Sequence, residues 1–303
     1  MFQDIRFSAR DGALLYARRY ASRMRSPRAL VCLPGLVGNS AQFDRLARTI
    51  AQSQGTAREV YTIDLRGRGQ SELGPSRQAP SLLTESEDVL DFMTMAGLRQ
   101  AAILGTGHGG QLGIVMAMLR PSAVGAIIFN DSGPEFEMEG LVRLMGQIAN
   151  VPVPASWTDA QLMLKHLQGR QYPRLTDDEW LDVAKSNYLE RDGKPARSYD
   201  RAIAMSYSLT RGTAYRQTMW PQFEAMAHVP VLVLRGELSD VISLATVARM
   251  REIHPRLEAL KIPGQGHPPL LRDGQSVTAI QDFLARHDLS ETAAEMPPMK
   301  AVA

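Results

Sequence analysis

The chain has 303 residues, of which 44% are hydrophobic, and this is enough to bury one large core, either as a single α/β domain or as a core with an inserted subdomain. Its 34 basic and 32 acidic residues leave a formal net charge of +2, and no basic stripe with interleaved aromatic residues stands out, so a nucleic-acid partner has little support. We therefore expect a small-molecule partner.

The single cysteine, Cys32, excludes an internal disulfide and a cysteine-based zinc cluster. It lies in the apolar run "ALVCLPG", which predicts a buried structural thiol. The start of the chain lacks the apolar core of a secretory signal, and no run approaches the ~18 apolar residues of a membrane span. The expected location is therefore cytoplasmic, without a membrane partner.

The first predicted elements are strands. The runs "IRFSA" and "ALLYARRYA" flank Asp11-Gly12, a strong hairpin signal. Short apolar runs that end in turn residues then predict strands buried on both faces of a parallel sheet. These runs are Ala29 to Gly35, Glu59 to Leu65, Ala101 to Gly107 and Val124 to Asp131.

Helical segments alternate with these strands. In "LLTESEDVLDFMTMAGL", Thr84 and Glu87 have capping-box spacing, an apolar stripe follows, and Gly97 is a suitable end. The alternation resumes with the strand "VPVLVLRGE", a helix, the strand "LEALKIPG" and the helix "SVTAIQDFLARH". The predicted fold class is therefore α/β, with a mostly parallel central sheet flanked by helices.

Residues 134–226 interrupt this alternation with helix-like pieces, tryptophans, scattered prolines and no clear strand. We expect a helical cap here, inserted into a core of residues 1–133 and 227–289, with a flexible tail at 290–303. We expect Trp157 and Trp220 to contact the substrate. An apolar chamber is suggested by these two and by Trp180, Phe136, Met138 and Met145.

The residues that follow the predicted strands hold the candidate site, because ligands bind at the carboxyl ends of the strands in such sheets. The turns that meet there read "CLPGLVG", "GTGHGG", "RGELSD" and "GQGHPP". In the second of these, the glycines Gly105, Gly107 and Gly109 allow a sharp turn between a strand and a helix. Gly107 stands at its centre and offers no side-chain oxygen.

These motifs, in this order and at these strand ends, resemble the α/β-hydrolase superfamily in its branch with a helical cap. The resemblance covers nearly the whole chain, from the first hairpin to the last helix. The nucleophile elbow of the family reads G-x-S-x-G, so Gly107 occupies the position of the nucleophilic serine.

The resemblance also implies the remaining site residues. His267 in "GQGHPP" matches the catalytic histidine, and Asp240 in "RGELSD" matches the acid that orients it. Asp131 is the alternative acid, because some relatives place it after the preceding strand, and Glu237 is a weaker third choice.

The implied oxyanion hole is made by the backbone N–H groups of Leu36 and His108. Pro34 stands where many relatives carry a histidine, which leaves the hole possible because backbone donors do not depend on side-chain identity. The run "DLRGRGQS", Asp64 to Ser71, also resembles a family turn, and we interpret it as fixing loop structure.

The function implied by this resemblance is hydrolysis of carboxylic esters or related acyl substrates, impaired or inactivated by glycine at position 107. One alternative is a lyase, oxygenase or carbon–carbon hydrolase that uses only the His267–Asp240 dyad. Another is a non-catalytic small-molecule binder. No zinc-binding, phosphate-loop or dinucleotide motif is present, so neither a metal nor another cofactor is expected.

Overall fold

An eight-stranded, mostly parallel sheet forms the centre of the molecule, seen in a computed structural model. The strands are β1 (Gln3–Ser8), β2 (Leu14–Tyr20), β3 (Leu30–Leu33), β4 (Val60–Asp64), β5 (Ala101–Thr106), β6 (Val124–Asn130), β9 (Val231–Gly236) and β10 (Leu257–Ile262). Their order is β1-β2-β4-β3-β5-β6-β9-β10. Within this sheet the pairs β1–β2 and β2–β4 are antiparallel, and the other pairs are parallel. The structure describes residues 1–24, 28–150, 152–206 and 218–289.

Helices cover both faces of this sheet, as the predicted α/β class requires. They are α1 (Asp44–Ala51), α2 (Leu82–Met95), α3 (His108–Leu119), α9 (Leu244–Ile253) and α10 (Gly274–Leu289). One face packs against α2, α3 and α9, and the other packs against α1 and α10. Every residue of β3, β5 and β6 is buried, because helices lie on both sides of these central strands.

The start of α2 differs from its predicted form. Ser81 is the N-cap residue, and its hydroxyl accepts a hydrogen bond from the Thr84 backbone N–H. The predicted capping box at Thr84 and Glu87 is wrong, because the helix already begins at Leu82. Ser81 therefore caps a free N–H group of the first turn, three residues before the predicted cap.

The described part of the segment between β6 and β9 is mainly helical. It holds α4 (Met138–Asn150), α5 (Trp157–Gln168), α6 (Asp177–Asn187), β7 (Leu189–Arg191), β8 (Lys194–Ala196), α7 (Arg201–Ser206) and α8 (Trp220–Ala225). The strands β7 and β8 form a hairpin that the sequence analysis missed. Its turn residues Asp192 and Gly193 both have positive φ, so the Asp-Gly pair was the available signal.

The last part of this segment packs with the central core. Trp220 and Phe223 of α8 are buried in the same apolar cluster as α3 and the sheet. A separate cluster, centred on Trp180, holds α5 and α6 together and has Trp157 at its edge. None of the buried residues described in α4 to α7 belongs to the two apolar clusters of the central sheet. The predicted tail at 290–303 lies outside the described residues.

Helix α3 approaches the sheet so closely that side chains are excluded from the contact. A Cβ on Gly105 would lie 2.3 Å from the Gly110 nitrogen, and one on Gly109 would lie 2.3 Å from the Leu33 carbonyl oxygen. These atoms belong to the backbone and cannot move aside alone.

Within the described residues, no helix is long and apolar enough to cross a membrane.

This close approach predicts opposite effects for two alanine substitutions in α3. Gly109→Ala should lower the free energy of unfolding by about 2 kcal/mol or more, because overpacking against backbone forces the helix away. Gly113→Ala is the matched control, since its Cβ would meet side chains only at 3.6 Å or beyond. It should be neutral or stabilising by up to ~1 kcal/mol. Urea unfolding of both variants measures the difference, and equal stabilities would contradict the packing argument.

Candidate active site

The turn between β5 and α3 is sharp and has Gly107 at its centre. Gly107 has φ 47° and ψ −110°, a left-handed conformation that favours glycine. Its N–H donates to the Asn130 carbonyl at 3.2 Å, and its carbonyl accepts from the Ser132 hydroxyl at 2.6 Å. These contacts fix the turn from the neighbouring strand β6.

The imidazole of His267 faces this turn. An ideal Cβ on Gly107 would lie 3.4 Å from His267 Cε1 and 3.5 Å from His267 Nε2. The backbone N–H of His267 donates to Gln171 Oε1 at 2.9 Å. The predicted pairing of position 107 with His267 is therefore present in space, although 159 residues follow Gly107 before His267 is reached.

The carboxylate on His267 belongs to Asp131. Its Oδ2 lies 2.7 Å from His267 Nδ1, and Asp131 is completely buried. Its Oδ1 accepts the Gly236 backbone N–H at 3.0 Å, and its Oδ2 also accepts the Ser239 hydroxyl at 2.5 Å. Asp131 follows β6, which lies between β5 and β9 in the sheet, so its side chain reaches the centre of the site.

The prediction that Asp240 contacts His267 is wrong. Both oxygens of Asp240 bind Arg143 of α4, at 2.5 Å from Nε and 2.6 Å from Nη2. Burial alone would raise the pKa of Asp240, but the hydrogen bonds and charge of Arg143 hold that pKa below its ordinary value. The preceding residue, Ser239, takes the inward position and binds Asp131, which leaves Asp240 facing α4.

Glu237, the third choice, also lies away from the imidazole. Its Oε2 accepts the Gly264 backbone N–H at 2.9 Å, and its Oε1 lies 3.2 Å from Lys261 Nζ. The hydrogen bond from Gly264 and the ammonium of Lys261 lower the pKa of Glu237. This carboxylate therefore belongs to the surface of the β9–β10 edge.

The two predicted oxyanion-hole residues, Leu36 and His108, line the same cavity as Gly107 and His267. A buried charge network lies behind them. Glu85 Oε2 lies 2.6 Å from His108 Nε2, and its other oxygen binds Arg68. Arg68 Nε donates to the Leu36 carbonyl at 2.7 Å. One network thus contacts both residues of the predicted hole.

The network also shows what the "DLRGRGQS" turn does. Arg68 of this turn is 1% exposed and Glu85 of α2 is likewise 1% exposed, so their charges are compensated inside the protein. Burial works to raise the pKa of Glu85, but the charges and hydrogen bonds of Arg68 and His108 keep that pKa below its ordinary value. The structural role expected for the turn is supported at Arg68. Glu85 was not among the predicted site residues. Its only signal in the sequence is that an acidic residue stands among the buried positions of α2.

A cavity of about 160 Å³ opens at Gly107. Its wall is mainly apolar and is formed by Val37, Phe136, Leu141, Leu144, Met145, Ile148 and Val241. Its polar members, apart from the residues at the elbow and His267, are Gln42, Arg143, Gln168 and Asn187. Arg143 forms an ion pair with Asp240, so its positive charge in the cavity wall is balanced.

The tryptophans expected at the substrate are elsewhere. Trp157 packs at the edge of the α5–α6 cluster, and Trp220 lies against Phe223 and donates its indole N–H to Glu135 at 2.7 Å. Their large apolar surface stabilises packing, which is the commoner use of aromatic residues in helices. Trp180 is buried in the α5–α6 cluster, and Met138 is 45% exposed. Phe136 and Met145 do line the cavity, as predicted.

Other nucleophilic side chains near the site are engaged or buried. Thr106 Oγ1 accepts from Asn130 Nδ2 at 3.0 Å, and the Ser132 hydroxyl donates to the Gly107 carbonyl. Cys32 is inside β3, where burial raises its thiol pKa. In the described part of the chain, no three His, Cys, Asp or Glu side chains are grouped so that they could hold a metal ion.

Comparisons with known proteins agree with this architecture. A family model described as the alpha/beta hydrolase fold matches residues 28–273. The chain is 26% identical to the 3-hydroxybutyrate-oligomer hydrolase of Cupriavidus necator, over 85% of this chain and 88% of that protein. It is 27% identical to the 2-(acetamidomethylene)succinate hydrolase of Mesorhizobium japonicum, over 77% of this chain and 79% of that protein.

A solved structure gives the same result. The crystal structure of an alpha/beta hydrolase from Novosphingobium aromaticivorans superposes with a TM-score of 0.83 and 31% sequence identity. The match covers 94% of this chain and 98% of that one.

The buried network predicts that Glu85→Gln destabilises the fold by about 3–5 kcal/mol, because it leaves the Arg68 charge without its partner. Glu87→Gln, two residues along α2, is the matched control. Glu87 pairs with Arg10 at the surface, so its loss should leave the free energy of unfolding nearly unchanged. Urea unfolding at pH 7 compares the two.

The same pair predicts a pH dependence. The pKa of Glu85 is lowered from 4.5 by folding, so its contribution to stability is present above that pH and is lost as the pH falls through the folded pKa. The wild-type protein should therefore lose stability on acidification more steeply than Glu85→Gln. Parallel curves of the free energy of unfolding against pH, measured from pH 7 downwards, would contradict this assignment.

Proposed function

Because this chain belongs to the α/β-hydrolase family, we propose that it carries the site of an acyl-ester hydrolase whose covalent route is closed at Gly107. The proposed general base is His267, and the proposed orienting acid is Asp131. Helices α4 to α6 form the proposed cap over the site. Two relatives are named as hydrolases, which supports hydrolytic chemistry as the class of reaction.

The proposal rests on where a side chain would lie if residue 107 had one. A Cβ there would lie 3.5 Å from His267 Nε2 without a clash. A hydroxyl oxygen on that Cβ comes within hydrogen-bond reach of the imidazole, which is the relation between a nucleophile and its base. Gly107 keeps the backbone of the elbow and lacks only the attacking atom.

The surrounding groups fit the remaining tasks. The carboxylate of Asp131 on Nδ1 orients the ring, so that Nε2 faces the elbow and can accept a proton. The backbone N–H groups of Leu36 and His108 are the proposed donors to the oxyanion. The apolar wall of the cavity favours a substrate with an apolar acyl chain, and the proposed cap would keep water from that chain.

Gly107→Ser tests the proposal by restoring the attacking oxygen. Gly107→Ala is the matched control, because it adds the same Cβ at the same positive φ without an oxygen. The serine variant should hydrolyse p-nitrophenyl esters of short and medium acyl chains at least ~10³-fold faster than the alanine variant. It should also be labelled covalently by a fluorophosphonate, while the alanine variant should not.

The dependence of this gain on His267 completes the experiment. Adding His267→Ala to Gly107→Ser should remove most of the activity, because the serine then has no base. A folded Gly107→Ser protein that is neither labelled nor active on esters, amides and lactones would refute the proposed function. Ligand binding without turnover in every variant would support a binding protein instead.

The choice of acid has its own test in the Gly107→Ser protein. Asp131→Asn should lower kcat by ~10⁴-fold, because an amide holds the imidazole in the wrong tautomer. Asp240→Asn should have a much smaller effect that appears mainly in KM, since Asp240 only holds Arg143 against the cavity. A larger kcat loss for Asp240→Asn than for Asp131→Asn would reverse the assignment.

A further inference from the structure

We propose that the chain with glycine at position 107 itself hydrolyses esters by a direct attack of water, with His267 as general base and no acyl-enzyme intermediate. This inference rests on the proposed function, because it uses the same cavity and the same class of substrate. The inference goes beyond the proposed function by assigning an activity to the chain with glycine at position 107.

The space between Gly107 and the imidazole of His267 is the first feature that supports this route. Glycine ends at its backbone, so the space where a Cβ would lie 3.5 Å from His267 Nε2 holds no side-chain atom, and a small molecule in the cavity can lie against both the Gly107 Cα and the imidazole. Thr106 and Ser132 are both hydrogen-bonded within the scaffold, and neither presents its oxygen there. The proposed water lies in this space, within hydrogen-bond reach of Nε2.

The second argument is that the base is complete without a serine. Asp131 is buried, accepts from Gly236 and Ser239, and holds His267 Nδ1 at 2.7 Å. When Nδ1 donates to this carboxylate, the neutral ring leaves its lone pair on Nε2. Gln171 fixes the backbone of His267 from the inserted segment. None of these contacts involves a side chain at residue 107.

The proposed step balances without a further reactant. The water oxygen attacks the ester carbonyl carbon while His267 Nε2 takes one water proton, and the carbonyl oxygen becomes the oxyanion. The intermediate then collapses, the bond to the alkoxy oxygen breaks, and the proton passes from Nε2 to that oxygen. The products are the carboxylic acid and the alcohol, and no bond to the protein forms.

The experiment compares variants of the intact chain on p-nitrophenyl acetate and butyrate. Binding and the oxyanion hole alone leave a residual acceleration of ~10³-fold over water that does not need the histidine. The proposal predicts an additional His267-dependent rate, so His267→Ala should lose ~10²-fold or more, as expected for a general base. His267→Gln, which keeps more of the side-chain volume, should lose a similar factor, and thermal unfolding of each variant checks its fold.

The Gly107→Ala variant separates the proposed catalytic role of His267 from a purely structural role, which this substitution would not affect. Its methyl carbon would lie 3.4 Å from His267 Cε1, in the space between the Gly107 Cα and the imidazole that the proposed water needs. The glycine chain should therefore be at least ~10-fold more active than Gly107→Ala. This factor is smaller than the full effect of a general base, because the methyl group displaces the water only in part. Glu237→Gln, an exposed carboxylate outside the cavity, is the control expected to keep the full rate.

The pH profile and intact mass complete the test. The His267-dependent part of the rate should rise with pH and be absent in His267→Ala, because only a neutral imidazole can accept a proton. Mass spectra taken during turnover should show no acyl adduct. Equal rates for the glycine chain and both His267 variants, equal rates for the glycine and alanine forms, or an acyl adduct on the glycine chain would each overturn the water route.

The two proposals fail differently. If Gly107→Ser is labelled and active while the glycine chain shows no His267-dependent hydrolysis, only the water route is refuted. If Gly107→Ser is also inert, the proposed function is refuted with it.

Discussion

The backbone contact between α3 and the strands beneath it determines the geometry of the whole candidate site. Gly105 and Gly109 have no space for a Cβ, because carbonyl and amide atoms of the opposing backbone lie in its place. The helix can therefore begin directly at the end of β5, and the chain must turn sharply at Gly107. That turn brings residue 107 to the floor of the cavity, opposite His267.

A buried set of charges lies behind this turn. Glu85 is inside the protein and is compensated by Arg68 and His108 together. Such pairs add little net stability, but losing one partner is costly, so they act mainly to select one arrangement of the groups. Here the selected arrangement connects the β3–α1 loop, through the Leu36 carbonyl, to the first residue of α3. The two loops that would form an oxyanion hole are therefore held relative to each other by a single network.

Two carboxylates at neighbouring strand ends perform different tasks. Asp131 holds the imidazole, and Asp240 holds the guanidinium of Arg143 in α4. The inserted segment also contacts the histidine loop directly, because Gln171 bonds to the His267 N–H and the Tyr172 hydroxyl donates to the Pro268 carbonyl at 2.6 Å. The inserted segment that supplies the helices of the cavity wall is thus bonded to the backbone of the loop that carries His267.

The sequence by itself determined the α/β class, the strands buried on both faces, the elbow at Gly107 and the candidate histidine. These features depend on local chemistry: continuous apolar runs, glycines at a sharp turn and a histidine after a strand can be recognised within a few residues. Only the tertiary structure decided between Asp131 and Asp240. Both follow strands, and the choice depends on which side chain the neighbouring loop turns inward. The same holds for Trp157 and Trp220, whose aromatic side chains can line a pocket as well as a packed core, and for Glu85, whose partners come from the 64–71 turn and from the start of α3. Long-range packing decides these cases because a side chain's partners are set by the elements that surround it, which local sequence does not specify.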